Sequence, residues 1–440
     1  MTDTMRTPLV FLAMAALLVV EGTFNGWIFT GDWNVALTIL NMGLVSAIMA
    51  LGLNLQWGIT GLFNAGIMGF VALGGLAVVL TATDPVGEAW AAGGVRIILG
   101  LILGAMTILG TILLRAKMEP GRPRAIATVA ALIIGFFVFR WVFDGGVQAV
   151  EAVNPSVTGN LGGLGLPVIL SWAVGGLLAA GAAWMIGKIA LGLRSDYLAI
   201  ATLGIAEIIV AVLKNEDWLS RGVKNVNGLP RPVPQEVDLQ QNPAFIEQAA
   251  NFGLDPVTAS TLYVKLGYSL LLAASLLLLI VLAQLALNSP WGRMMRAIRD
   301  NETAASAMGK NVTARHLQVF IIGSAICGIA GAMMTTLDSS LNPSSYQPLR
   351  FTFLIWVMVI VGGSGNNYGS IIGGVLIWWL WVKVPEAGSW IAQVVTSGLP
   401  ADHWFVDRME QAIPHMRMFT MGLILLLVLR FNPRGILPEK

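Results

Sequence analysis

The chain has 440 residues, of which 56% are hydrophobic and 11% charged, with a mean hydropathy of +0.75. That composition excludes an ordinary soluble domain and describes a polytopic membrane protein. A formal net charge of +2 argues against nucleic acid as a partner, and a single cysteine, Cys327, excludes an intrachain disulfide and any cysteine-based metal cluster.

The first residues place Arg6 ahead of an apolar run that lacks a small-residue cleavage pattern after Val20, so the run reads as a first membrane span. Glu21, near its far end, is expected to snorkel to the interface. From Asn34 a run of about 20 residues is long enough to cross the hydrocarbon core. It continues into GITGLFNAGIMGFVALGG, where Asn54, Gln56 and Asn64 stand among glycines that include Gly58, Gly66 and Gly69. Two readings stay open here. Small residues let helices approach closely, or the segment is broken and turns backbone polar groups toward a pathway, which is allowed at membrane depth only against protein or water.

Spans are expected at about 95–114, 125–143 and 166–191. Between the first two, Arg115, Lys117, Arg122 and Arg124 crowd a short loop that the positive-inside rule makes cytoplasmic. Counting outward from it places both termini on the same side, in keeping with Arg430, Arg434 and Lys440. The segment 197–213 carries Thr202 and Glu207, and an ionisable group there is costly unless it faces other protein or water. Residues 214–261 are polar and proline-rich and read as a periplasmic loop long enough to receive a partner.

After a span at 262–287, residues 288–311 have helical amphipathic periodicity. Trp291, Met294, Met295, Ile298, Ala305 and Met308 share one arc, and Arg293, Arg296, Arg299 and Asp300 the other. Ser289 is the expected cap, Pro290 fits a first turn and Gly309 supplies the stop. Glu302 projects within the apolar arc, either to pair with Arg299 or to dock with that arc in a groove on another protein. A span at 317–336 follows. Two short apolar legs, 351–361 and 370–382, flank GGSGNNYG with Gly365, Asn366 and Asn367, which suggests a hairpin or a discontinuous helix. Trp378, Trp379, Trp381 and Trp390 read as interface anchors, the stretch after Pro385 as amphipathic and peripheral, and 417–429 as the last span. The glycine-rich breaks near Gly58 and Gly362, one in each half, suit an internal repeat that frames a pathway.

RAIRDNETAASAMGKNVT, LRSDYLAIATLGIAEII, NGLPRP and VMVIVGGSGNNYGSIIGGVL, taken jointly, resemble signatures of the branched-chain amino-acid ABC transporter permeases of the LivM type. The resemblance spans roughly residues 35–435. One departure is that Thr303 stands where the general importer pattern has Glu, ahead of Ala304, Ala305 and Gly309, with Glu302 one residue early. The resemblance implies an all-α, polytopic bundle of about ten transmembrane helices in the bacterial inner membrane, with residues 1–440 forming a single transmembrane permease domain. It further implies a second permease subunit, two cytoplasmic ATPase subunits that hold ATP and Mg, and a periplasmic substrate-binding protein that delivers leucine, isoleucine or valine. No cofactor is expected in this chain.

On that reading Trp291, Met294, Met295, Ile298, Glu302, Ala305 and Gly309 couple to the ATPases. The resemblance is silent on individual pathway contacts. The glycine-rich breaks and intramembrane polar groups nominate Asn54, Gln56, Asn64, Gly66, Gly69, Thr202, Glu207, Gly365, Asn366 and Asn367. The chain carries no GxxxxGK[ST] phosphate loop, and His316, His403 and His415 lack metal-ligand spacing. Rival readings are a secondary transporter driven by an ion gradient, against which the scarcity of intramembrane acidic residues counts, and the same permease role for urea or short amides.

Overall fold

The computed structural model describes residues 3–155, 159–398, 400 and 403–439; Lys440 lies outside them. Helix α1 (Asp3–Thr23) leads through a two-residue hairpin, β1 (Asn25–Gly26) and β2 (Phe29–Thr30), into α2 (Trp33–Leu53). Asp32 caps α2 by accepting from Asn34 N at 2.7 Å, and the helix ends in a π-turn, Asn54–Gly58. Residues 59–66 carry no regular helix before α3 (Ile67–Ala82). The turn α4 (Gly87–Ala89) leads to a long hairpin, α5 (Val95–Lys117) and α6 (Arg122–Glu151), and then to α7 (Val168–Ala190) and α8 (Ser195–Asn215).

The polar stretch after α8 is more structured than a plain loop. It contains α9 (Asp217–Ser220), β3 (Val226–Asn227), α10 (Glu236–Gln241) and α11 (Pro243–Asn251), and α12 (Pro256–Asn288) already begins within the range read as loop. Asn242 and Asp255, residues with a strong capping preference, start α11 and α12 by accepting from Ala244 N and Thr258 N. Two short helices follow, α13 (Pro290–Asp300) and α14 (Glu302–Ala307), and then α15 (Val312–Asp338), β4 (Ser340–Leu341) and α16 (Pro348–Gly362). The chain closes with α17 (Asn367–Thr396), α18 (Trp404–Ala412) and α19 (Met416–Phe431). Among the described residues, ten helical segments are long and apolar enough to cross a membrane, and two apolar helices, at Ile67–Ala82 and Phe351–Gly362, are shorter.

The centre of the bundle is α2, α3 and α15, with α7 against α3 and α15, α12 and α17 against α2, and α16 against α17. Small residues make this packing possible. A Cβ on Gly74 of α3 would collide with the carbonyl oxygen of Gly328 on α15, so the two backbones touch where any larger residue would separate them. The α5–α6 hairpin is peripheral, and Leu99, Ile102, Ile108, Ile133 and Phe137 are exposed along it as a lipid-facing surface should be.

The two ends of the bundle differ. At one end β3 pairs with β4, Leu229 N donates to Ser339 O at 3.0 Å and Leu161 N to Trp218 O at 3.1 Å, which gathers the loops that follow α8, α15 and α6. The opposite, basic end carries Gly58, α13, α14, the turn before α17 and the C-terminal tail, together with the arginine-rich α5–α6 turn.

Three expectations are corrected. Glu21 does not snorkel: it is fully buried, its Oε1 lies 2.7 Å from Lys383 Nζ, and Thr30 Oγ1 donates to it at 2.8 Å. The short leg expected at 370–382 is part of a longer helix: α17 runs 30 residues through Pro385 to Thr396, and its last turns expose Trp390, Ile391, Val394 and Val395, as expected of an amphipathic, peripheral stretch. GGSGN joins α16 and α17 as a helical hairpin, one of the two alternatives expected, and makes no break inside the bundle. It is a tight turn at the basic end, with Gly363 at φ +118° and Gly365 at φ +83°, and the stretch outside the α-helices in the second half lies earlier, at 339–347, where β4 and a single helical turn, Pro343–Ser345, precede α16.

Candidate functional site at the interrupted helices

The polar residues singled out in the first half converge on the irregular segment 59–66 and hold it in place. Gln56, fully buried, donates through Nε2 to Phe320 O at 3.0 Å and Ser324 Oγ at 3.1 Å on α15. Its Oε1 accepts from Asn64 Nδ2 at 2.9 Å, and Asn64 Oδ1 in turn accepts from Gly66 N at 2.8 Å. Thr202 of α8 accepts from Ala65 N at 3.1 Å, and Trp356 Nε1 of α16 donates to Asn64 O at 3.1 Å. Non-helical backbone inside a membrane protein needs such partners, since each unmet group costs several kcal/mol there.

A second cluster closes the basic end. Asn54 Nδ2 donates to Asn367 Oδ1 at 2.9 Å and Asn54 Oδ1 accepts from Gly365 N at 2.8 Å, which ties the end of α2 to the start of α17. Asn366 caps α17 through Tyr368 N and reaches Pro438 O at 3.1 Å. These residues therefore brace the segment and the turn from within. Asn54, Gln56, Asn64 and Thr202 are at most 2% exposed within this one chain.

The nominated glycines divide. A Cβ on Gly66 would strike the Thr202 carbonyl and one on Gly69 would press on Ala206 Cα at 2.8 Å, so both serve the close approach of α3 to α8. Gly365 needs its positive φ and has Glu439 alongside. Glu207 is exposed on an outward face of α8 beside Gly204, where a Cβ would meet nothing within 4 Å. Around the segment, Trp57 and Phe63 both pack at a tilt on Trp356, with ring centroids 4.7 and 4.4 Å from it, and Phe63 remains 38% exposed.

The expected coupling helix is two helices. Asn301, at φ −156° and ψ 98°, ends α13 and caps α14 by accepting from Ala304 N at 2.9 Å. Ser289 caps α13 and Gly309, at φ +76°, follows α14. The apolar arc of α13 turns inward. Met295 is fully buried, Ile298 is 2% exposed, and Trp291 and Met294 pack against the chain's own core, which removes this arc as a free docking face. Its periodicity was legible, but an amphipathic pattern does not say which protein covers it. Glu302 and Met308 of the next turn are exposed, with Ala305 half-buried.

Arg299 leaves the outer face assigned to it. It donates to Gly58 O and pairs with Glu439 at 2.8 Å, so the pair with Glu302 does not form. Burial alone would lower the Arg299 pKa, but the hydrogen bond and charge of Glu439 outweigh it and the guanidinium is held more firmly protonated. The C-terminal tail was missed as part of this site. Ile436 N and Leu437 N both donate at 2.9 Å, to Val361 O and Gly362 O, and Leu437 is buried. The only signal was the apolar pair Ile436–Leu437 inside a polar tail.

Comparison with known proteins agrees with this architecture. A family model described as branched-chain amino acid transport system / permease component matches residues 35–151 and 125–429. The high-affinity branched-chain amino acid transport system permease protein LivM of Salmonella typhimurium is 28% identical over 302 residues, which cover 67% of this chain and 62% of that protein. The probable branched-chain amino acid transport permease protein LivM of Methanocaldococcus jannaschii is 30% identical over 35% of this chain and 41% of its own length. The fructose import permease protein FrcC of Rhizobium meliloti is 27% identical over 23% of the chain and 30% of its own length. No solved structure matches. The chain thus spans less than two thirds of the length of these relatives, while the family model covers most of the chain: it belongs to the permease components of branched-chain amino acid transport systems.

Proposed function

We propose that this permease forms half of the translocation pathway of an ATP-driven importer for branched-chain amino acids, with a second, different permease subunit completing it. Two ATPase subunits engage the basic end, which faces the cytoplasm with both termini, and a periplasmic binding protein delivers substrate to the other end. The chain itself hydrolyses nothing. The observation that carries this reading is the interrupted backbone at 59–66, with Phe63 exposed and Glu207 outward on the adjoining α8. Irregular backbone and a carboxylate are not tolerated against lipid, so another protein or a water-filled path must cover this face.

The reading is tested by co-expressing the chain with a candidate partner permease, ATPases and binding protein from the same genome, and measuring ATP-dependent uptake of labelled leucine into vesicles. Uptake should disappear when any one component is omitted. Uptake by this chain alone, driven by a proton or sodium gradient, would overturn it. Orientation has its own check: in a Cys327→Ser background, Lys117→Cys should react with an impermeant maleimide only from the cytoplasm and Lys224→Cys only from the periplasm. Reaction of both from one side is incompatible with the assignment.

A further inference from the structure

The α5–α6 hairpin carries two recesses in line with each other. The first, of about 980 Å³, is an apolar crevice between the helices. Gly104 and Gly135 let the helices meet at its floor, since a Cβ on Gly104 would press on Phe139 at 3.2 Å and one on Gly135 would strike Thr107. Leu101, Ile108, Leu132 and Phe136 line it and are exposed. The hydroxyl of Thr107, the polar side chain in this lining, already donates to Leu103 O at 2.8 Å. The crevice therefore offers hydrocarbon contact and no hydrogen bond.

The second recess, of about 450 Å³, lies at the basic turn, lined by Arg115 of α5 and by Arg124, Thr128 and Val129 of α6. Thr128 Oγ1 donates to Arg124 O at 2.7 Å, which leaves the two guanidinium groups to meet a ligand. Among the described residues neither forms a hydrogen bond or an ion pair. Lys117 and Arg122 bring the turn to four cations against one acid, Glu119. Val129 of the basic recess and Leu132 of the crevice are neighbours on one face of α6. On α5, Ile108 and Leu101 lie about 10 and about 21 Å below Arg115 at 1.5 Å per residue. Half the hydrocarbon core is about 15 Å deep, with the headgroup layer above it, so a molecule whose phosphate meets these arginines puts its tail at the level of the crevice. Helices α4 and α9 and residues 90–94 pack on the hairpin at its far end, where Gly93 adjoins Gly146 and Trp218 adjoins Phe143.

We propose that the α5–α6 hairpin binds an anionic phospholipid, with Arg115 and Arg124 holding the phosphate and one acyl chain laid in the crevice. A crevice alone would not tell one lipid from another, and a basic turn alone would attract any anion. Together they select a molecule that carries both parts. The proposal goes beyond the transport reading and does not depend on what the permease carries.

The test titrates the purified full-length chain with dioleoyl phosphatidylglycerol or dioleoyl phosphatidylcholine and counts bound lipid by native mass spectrometry. A cation at a membrane surface contributes about fivefold in affinity for an anionic lipid. The first phosphatidylglycerol should therefore bind at least fivefold more tightly than the first phosphatidylcholine. Arg115→Gln with Arg124→Gln should erase that preference, whereas Arg430→Gln with Arg434→Gln, which removes two charges elsewhere at the same end, should keep it. Ala105→Phe, at an exposed position in the crevice lining, should weaken phosphatidylglycerol binding at least threefold with both arginines in place. Thermal midpoints of the three variants should match the parent, because none of the altered side chains makes a bond or packs in the core. Glycerol phosphate, the headgroup without tails, should compete poorly; competition as strong as that of the whole lipid would assign the recess to a free phosphate and overturn the proposal. Equal affinity for the two lipids, equal loss of preference in the Arg430 and Arg434 variant, or unchanged binding in Ala105→Phe would overturn it too. So would a second permease that co-purifies with the parent and is lost from Ala105→Phe, since a protein would then fill the crevice.

Discussion

Lys383 sits between two carboxylates, Glu21 and Glu386, each 2.7 Å from its Nζ, in a position where the lysine and Glu21 have no access to solvent to speak of. Such a pair gains little over a well-packed apolar replacement, but cutting it from one side strands a charge. Lys383→Ala should therefore cost about 3–5 kcal/mol, read as a lower thermal midpoint of the purified protein. The double variant Glu21→Gln with Lys383→Met should recover most of that loss. A single variant as stable as the parent would mean that water reaches the pair. None of this could be read from local sequence, because Glu21 stands at the end of an apolar run, where an interfacial acid is the ordinary expectation, and its partner is remote in the chain. The polar residues at 54, 56 and 64 were legible as unusual for the opposite reason, since they fall inside an apolar run. What the sequence withheld was that Gln56 and Asn64 satisfy each other and the backbone, while Asn54 is answered by Asn367 and Gly365 N.

At the level of elements, the helical boundaries around α13 and α14 followed from capping chemistry, with Ser289, Pro290 and Gly309 in their expected roles. The break at Asn301 was not seen, because Asn inside an amphipathic repeat is equally a surface residue or a cap. This division changes what mutations should do. Ile298→Asp buries an unpaired charge in the chain's own core and should lower the stability of the isolated permease by several kcal/mol. Glu302→Lys, on the exposed first turn of α14, should leave that stability within about 0.5 kcal/mol and reduce co-purification of the ATPases. Stable Ile298→Asp protein that merely loses the ATPases would restore the docking face to α13. Helix α8 offers a parallel case. Gly204 faces open space in this chain, unlike Gly66, whose Cβ would collide with Thr202. Gly66→Leu should lower stability of the chain alone, while Gly204→Leu should spare it and disrupt pairing with the second permease, as measured by pull-down of the tagged partner.

Across the whole molecule the two short apolar helices have matching designs. Helices α3 and α16, of 16 and 15 residues, span about 24 and about 22 Å at 1.5 Å per residue, less than the roughly 30 Å hydrocarbon core. Each follows a stretch outside the α-helices, 59–66 without regular structure or 339–347 with β4, and those stretches lie at opposite ends of the bundle. The break of the second half was expected at GGSGN, after α16 and not before it, because that run carries the stronger turn chemistry. The basic end then connects the first interruption to the surface. Arg299 of α13 holds Gly58 O, where α2 gives way to the irregular segment, and Glu439 of the tail, whose neighbour Leu437 is bonded to the end of α16. Displacement of α13 by an ATPase would thus be felt at both α2 and α16 through one guanidinium. Arg299→Ala removes this link without adding bulk or a buried charge, so the complex should assemble and hydrolyse ATP. The expected loss is in coupling, at least a fivefold fall in leucine transported per ATP hydrolysed, measured in proteoliposomes that contain the binding protein. Arg299→Lys keeps the charge but lacks the fork that reaches both acceptors, and should fall between the two. Removing residues 432–439 should reproduce the uncoupling by freeing Arg299 from Glu439 and α16 from Leu437. A transport ratio equal to that of the parent in Arg299→Ala would show that movement reaches the pathway by another route, with α12, which joins α13 directly, the first element to examine.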